Sequence, residues 1–278
     1  MRFTSLAHTP FSQITACFNE AFSDYFVAFN ATEDYLRERW RAAGVDYRLS
    51  VGAFDEEKLV GFMILCTGTK DGFLTAHNAG TGVIPDYRGR RLVGALYDYV
   101  LPKFKAAGIR QSTLEVITQN EKAIKAYERA GYEVVRKLHC FSGAVTTVAP
   151  ATEAWEIRRE KKIDWPLLAS LPPHCATWEQ RPEVIAARAA LYECWQLWED
   201  GQLKAYFILN PATGQIQSFS AVAGGEQHYG LPLIQAIGKE ITTLSINNVD
   251  EGESGWLSVF KRAGLNNTVN QYEMKWVL

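Results

Sequence analysis

The stretch "STLEVITQNEKAIKAYERAGY" at 112–132 returns in looser form as "TTLSINNVDEGESGWLSVFKRAGL" at 242–265. Each copy opens on a Thr-Leu-x-(Val/Ile) strand signature. A polar, Asn-containing turn follows, and the helix after it ends on aromatic-x-Arg-Ala-Gly. A unit that occurs twice, some 130 residues apart, restricts the chain to folds that repeat. Chance similarity between two amphipathic helix ends is the competing explanation. With 278 residues the chain is long for one core and comfortable for two. The expected organisation is therefore a tandem, with domains at 1–145 and 146–278. The composition shift and charge run in "SGAVTTVAPATEAWEIRREKKIDW", at 142–165, mark the boundary.

The first half reads as a mixed α/β pattern. Thr9-Pro10 opens a helix on which Phe11, Ile14, Phe18 and Phe22 share a face. A second helix runs from about Thr32 to Ala43 and stops at Gly44. "YRLSVGAF", "LVGFMILCTG" and "FLTAHNAGTGVI" are strands separated by "DEEK" and "TKDG" turns. After the "RGRR" turn comes a helix with Leu92, Leu96, Tyr99 and Val100 on one face. The strand "STLEVI", the helix from Asn120 to Ala130 closed by Gly131, and the strand "YEVVRKLHCF" complete the half. In the second half "YECWQLWED", "KAYFILNP" and "IQSFSAV" read as successive strands, without the two front helices. The fold class is α/β, a mainly antiparallel sheet with flanking helices.

Balanced charge, Lys+Arg 29 against Asp+Glu 31 with a net of −2, gives no stripe for nucleic acid, so any anion site is local. The five cysteines, Cys17, Cys66, Cys140, Cys175 and Cys194, form no C-x-x-C pair and support neither a disulfide framework nor a metal site. A cytoplasmic location is expected, and no run is long and apolar enough for a membrane span.

"DYRGRRLVGAL", at 86–96, is the local anion candidate. A strand-to-helix turn leaves backbone N–H groups without intrahelical acceptors at the positive end of the helix dipole. Arg88, Arg90 and Arg91 add guanidinium groups, while Gly89 and Gly94 permit close approach. A solvated basic helix start is the alternative. Gly89 and Gly94 have P-loop spacing, but Ala95-Leu96 stand where Lys and Ser/Thr belong, which excludes a nucleotide triphosphatase.

"GVIPDYRGRRLVGALYDYV" together with "LEVITQNEKAIKAYERAGYEVV" resembles the GCN5-related N-acetyltransferase (GNAT) family, strongly over 75–141 and more loosely over 1–141. Its first motif, R/Q-x-x-G-x-G/A, cradles the pyrophosphate of coenzyme A. Here Arg88 matches the first position, but Arg91 and Val93 replace Gly and Gly/Ala. Helix-start N–H groups survive a change of side chain, so the expected cost of these replacements is clearance, Val93 being the more crowded. The resemblance implies acetyl-CoA as acetyl donor, held by Val83, Arg88, Gly89, Arg90, Arg91, Leu92, Val93, Gly94 and Asn120. It also implies a small-molecule or peptide amine as acceptor. A non-catalytic acyl-CoA-binding or interaction protein is the alternative.

Acetyl transfer needs a neutral amine, a polarised carbonyl and a proton for the leaving thiol. In the resemblance Tyr127 is the acid, although Tyr127 and Tyr132 also stand where a Schellman helix end brings side chains together. His77 and Glu115 are candidate bases, against a structural histidine and a strand-end glutamate facing water. A main-chain N–H of 81–84 would polarise the carbonyl. In the second copy Phe260 replaces Tyr127, and "AGGEQHYG" holds Glu226 and no arginine. That copy is read as non-catalytic, a substrate wall or dimer surface. "FSDYFVAF", at 22–29, is expected to border the acceptor pocket.

Overall fold

The structure is a computed structural model that describes residues 1–26, 30–146 and 155–278. It divides into two compact units: 1–135 with 273–278, and 136–272. The division falls ahead of the expected boundary at 145/146, and the last residues of the chain belong with the first unit.

Unit 1 runs β1 (Arg2–Ser5), α1 (Phe11–Ala21), α2 (Glu33–Ala43), β2 (Val51–Asp55), β3 (Lys58–Lys70), β4 (Phe73–Val83), α3 (Leu92–Ala106), β5 (Gln111–Ile117) and α4 (Glu121–Ala130). β1 to β4 pair antiparallel in sequence order, and β5 joins β4 in parallel. Helix α1 buries Ile14, Cys17, Phe18 and Ala21, an i, i+3, i+4, i+7 stripe. Phe18 stacks on Phe62 of β3 at 5.7 Å. Helix α2 begins where the Thr32 hydroxyl accepts the Tyr35 N–H at 3.2 Å and stops at Gly44, φ +78°. On α3, Tyr97 is buried with Leu92, Leu96, Val100 and Phe104. Tyr99, expected on that face, instead lies half-buried under the Lys103 ammonium at 4.5 Å.

The final residues act as a wall of unit 1. Trp276 packs against Tyr132 with ring centroids 5.7 Å apart and against Tyr97 at 6.2 Å. Gly131 closes α4 at φ +106°, and a Cβ there would meet the Trp276 indole nitrogen at 2.6 Å. Glycine is required twice over, by conformation and by space. Lys70 and Glu273 form an ion pair largely removed from water.

The second half runs β6 (Glu133–Ala144), β7 (Glu156–Glu160), α5 (Trp165–Leu168), α6 (Pro182–Ala186), β8 (Glu193–Glu199), β9 (Gln202–Asn210), β10 (Gln215–Ala221), α7 (Leu231–Gly238), β11 (Thr243–Asp250), α8 (Ser254–Arg262) and β12 (Asn266–Val277). β7 to β10 pair antiparallel in sequence order, β11 joins β10 in parallel, and β6 pairs antiparallel with β11. The order strand–helix–strand–helix–strand around a parallel pair is that of unit 1. Between β7 and β8 the chain forms α5 and α6, of 4 and 5 residues, with two short 3₁₀ turns, where unit 1 has two helices of 11. The core of unit 2 is rich in aromatics: Phe141, Phe207, Phe219, Trp256 and Phe260 are all buried.

Candidate functional site

Strand β4 changes partner in mid-course, and that change opens the site. Its pairing with β5 covers only residues 75–78 against 111–114, while its pairing with β3 continues to Val83. Ala79 is an extra residue against β3, a bulge between Asn78 and Gly80. Asn78 braces the bulge. Its carbonyl oxygen accepts the Gly80 N–H at 3.1 Å, and its amide donates to Thr81 Oγ1 at 2.8 Å and to the Tyr97 hydroxyl at 2.9 Å. Among the described residues the β5-facing edge of β4 carries no ladder partner beyond Asn78, so main-chain groups of Thr81–Val83, apart from the Val83 carbonyl that Arg88 engages, are open to an extended ligand.

A cleft of about 1300 Å³ follows that edge. One wall is the start of α3 with Gly89, Arg91, Leu92, Val93 and Gly94. Another is α4 with Asn120, Ala123 and Tyr127, and the turn after α1 adds Phe22, Asp24, Tyr25 and Phe26. Trp276 also borders the cleft. Of the expected border segment 22–29, residues 27–29 lie outside the described residues.

The structure revises the account of the arginines. Arg88 makes a bidentate pair with Asp24, at 2.6 and 2.7 Å, and donates further to the carbonyls of Val83 at 3.1 Å and Ala21 at 3.0 Å. That pair and its hydrogen bonds hold the Asp24 carboxyl below the usual carboxylate range. Arg88 therefore ties the turn after α1 to the end of β4. Arg90 lies outside the cleft, over the Tyr87 ring at 4.6 Å, and donates to the Asp86 carbonyl at 3.0 Å. Among the described residues Arg91 makes no side-chain hydrogen bond or ion pair, and it lines the cleft.

Arg91 also costs more than the clearance expected of it. As the residue before α3 it sits at φ 57°, ψ 26°, in the left-handed region that favours glycine. Replacing glycine here costs backbone strain as well as clearance. Gly89 is left-handed too, at φ +76°, and Cβ atoms on Gly89 and Gly94 would meet open space. Val93 is half-buried and lines the cleft in the first turn of α3.

Tyr127 lies 8% exposed at the other end of the cleft. Burial pushes its phenol well above the ordinary value, the nearby Tyr25 phenol adds to the rise, and a hydrogen bond with Thr81 opposes it. The hydroxyl keeps its proton through the physiological range and can donate to a leaving sulfur. Its ring also packs against Tyr132 at 6.0 Å and Tyr97 at 6.2 Å, so the helix-end contact exists alongside the cleft position. Asn120 caps α4 by accepting the Ala123 N–H at 3.2 Å, and its amide reaches the Tyr25 hydroxyl at 3.5 Å.

His77 and Glu115 are not brought into the cleft. His77 is buried within the sheet, its Nδ1 3.1 Å from Thr113 Oγ1 and its Nε2 3.4 Å from Glu115 Oε2. The parallel register that sets His77 against Thr113 makes this arrangement, and neither residue lines the cleft. Tyr25, Tyr97, Asn78 and Trp276 do belong to the site or brace it. Of these, only Tyr25 falls in a stretch expected at the site from the sequence, the 22–29 segment.

In unit 2 the corresponding space is filled. Counting back from Gly264 as from Gly131, Phe260 matches Tyr127, Trp256 matches Ala123 and Glu253 matches Asn120. Trp256 is 7% exposed, 4.8 Å from the Phe219 ring, and a Cβ on Gly230, just before α7, would meet its indole at 2.8 Å. Glu226 packs against the start of α8 beside Gly255. An indole and a carboxylate thus occupy the helix starts that stand open in unit 1.

Residues 14–132, within unit 1, match the model of the Acetyltransferase (GNAT) family. No curated protein matches the chain. Among solved structures, a tandem GNAT protein from the clavulanic acid biosynthesis pathway is similar over 99% of this chain and 98% of its own, at 14% identity and a TM-score of 0.74. A GCN5-related N-acetyltransferase from Sphaerobacter thermophilus is similar over 99% and 95%, at 13% identity and a TM-score of 0.70. A GCN5-related N-acetyltransferase from Anabaena variabilis is similar over 99% of this chain and 72% of its own, at 14% identity and a TM-score of 0.66. At these identities the likeness is one of fold.

Proposed function

We propose that unit 1 is an acetyl-CoA-dependent N-acetyltransferase acting on the amine of a small molecule or peptide. The observation that carries this reading is the unpaired edge of β4, running between the anion-accepting start of α3 and the Tyr127 hydroxyl. An extended acyl-thioester arm fits along such an edge by strand-like hydrogen bonding. The N–H groups at the start of the 15-residue helix α3, with Arg91, fit its pyrophosphate.

The amine nitrogen attacks the thioester carbonyl carbon, the C–S bond breaks, and its electron pair leaves on sulfur. Tyr127 donates toward that sulfur, and a main-chain N–H of 81–83 polarises the carbonyl. With His77 and Glu115 outside the cleft, the proton lost by nitrogen passes to water. Unit 2, with its space filled by Trp256 and its helix start facing Glu226, serves this reading as a non-catalytic partner domain.

The absence of an imidazole from the cleft, among the described residues, favours one second reading: an acyl-CoA-binding module without turnover. Release of free thiol from acetyl-CoA across a panel of amines separates the two. Acceptor-dependent release that falls at least tenfold in Tyr127→Phe supports the transferase. Saturable binding without release from any amine supports the module.

A further inference from the structure

Asn120 can orient its amide in only one way. Its carbonyl oxygen caps α4 through the Ala123 N–H, so its NH₂ is the group that faces the Tyr25 hydroxyl 3.5 Å away. The Tyr25 oxygen is therefore an acceptor from Asn120, and the Tyr25 O–H hydrogen is directed elsewhere. Among the described residues no side chain or main-chain group accepts it. The ring lines the cleft, packed edge-on against Phe22 at 5.1 Å and Phe26 at 5.4 Å.

The position of this phenol is fixed from a second direction. Arg88 grips Asp24, the adjacent residue, and the Ala21 carbonyl at the end of α1. The turn carrying Tyr25 is thus fastened to β4 by the arginine whose sequence position suggested phosphate binding. Burial raises the Tyr25 phenol above its ordinary value, and Tyr25 in turn raises Tyr127. Two protonated hydroxyls, one from α4 and one from the turn after α1, therefore converge on the same end of the cleft. A leaving sulfur needs one donor. A carbonyl oxygen gathering negative charge is best served by two, and the edge of β4 supplies a main-chain N–H as the first.

Resting on the acetyl-CoA reading above, we propose that Tyr25 is a further catalytic residue, the side-chain donor to the thioester carbonyl oxygen, with Tyr127 serving the sulfur. Arg88 and Asp24 are its positioning residues.

The test needs no acceptor. Acetyl-CoA carrying a ¹³C-labelled acetyl carbonyl is bound to wild type, Tyr25→Phe and Tyr127→Phe. The carbonyl stretch is read by difference infrared spectroscopy, with the dissociation constant measured in parallel. The expected result is a wild-type band below that of free acetyl-CoA, which returns toward the free position in Tyr25→Phe and much less in Tyr127→Phe. Affinity in Tyr25→Phe should fall by no more than about two- to tenfold, the loss of one neutral hydrogen bond, because phenylalanine keeps the packing on Phe22 and Phe26. An unmoved band in Tyr25→Phe at unchanged affinity overturns the assignment and leaves Tyr25 as wall. A wild-type chain that binds no acetyl-CoA fails differently, with a flat titration, and removes the functional reading together with this one.

Discussion

Replacing Arg91 with glycine should move stability and ligand affinity in opposite directions. Arg91 holds φ 57°, ψ 26° immediately before α3. A left-handed conformation costs an L-residue roughly 1–2 kcal/mol, and glycine adopts it freely while giving up about 0.5–1 kcal/mol in unfolded-chain entropy. Among the described residues the Arg91 side chain makes no hydrogen bond that the fold would lose, so the net gain is about 0.5–1 kcal/mol. For a chain of this size that is a rise in Tm of roughly 1–4 °C. The same change removes an uncommitted guanidinium from the α3 start. A charge-assisted hydrogen bond contributes about 1.5–3 kcal/mol, with exposed sites at the low end, which predicts a dissociation constant for acetyl-CoA about tenfold weaker. Thermal unfolding and calorimetric titration read the two effects. Arg91→Asn is the control, since asparagine tolerates the left-handed region and carries no charge. It should lose the affinity and gain less in Tm. Undiminished affinity in Arg91→Gly would refute the phosphate role, and a lowered Tm would refute the strain.

Three further outcomes follow from buried groups. His174, its ring tilted against Phe219 at 4.6 Å, is held neutral by burial and by Arg136, its pKa lowered from 6.5 to about 4. Its contribution is intact above pH 6.5 and is lost as pH falls toward 4, so urea unfolding of unit 2 should lose up to about 3 kcal/mol over that window, and His174→Phe should flatten the loss. Glu273→Gln strands the Lys70 ammonium, 14% exposed, and should destabilise unit 1 by roughly 3 kcal/mol in denaturant titration. Because burial raises the Tyr127 phenol, thiol release should show no fall from Tyr127 ionisation up to pH 10, and an alkaline limb near pH 8 that disappears in Tyr127→Phe would contradict its placement.

Features set by neighbours along the chain were legible in the sequence. The helix start near Thr32, the stops at Gly44 and Gly131 and the α/β order all depend on residues within a few positions. The repeat placed Phe260 opposite Tyr127, and it carries Trp256 opposite Ala123 by the same count. Legibility ended where distant segments meet. Nothing near Arg88 announces Asp24, and nothing near Tyr127 announces Trp276. His77 and Glu115 looked catalytic as residue types, but the β4–β5 register turns them toward each other within the sheet. Arg91 misled for a different reason: its left-handed angle is set by the closure of the turn on α3, and arginine carries no signal for it. The pairing of β6 with β11 could not be read either, because its alternating residues would suit any open sheet edge.

The most direct test of the central claim is calorimetric titration of the full chain with acetyl-CoA, reading stoichiometry as well as affinity. One saturable site per chain is expected, weakened in Arg91→Gly, because the cleft of unit 1 is open and its counterpart in unit 2 is filled by Trp256. Two sites would contradict the assignment of unit 2, and no binding would contradict the claim itself.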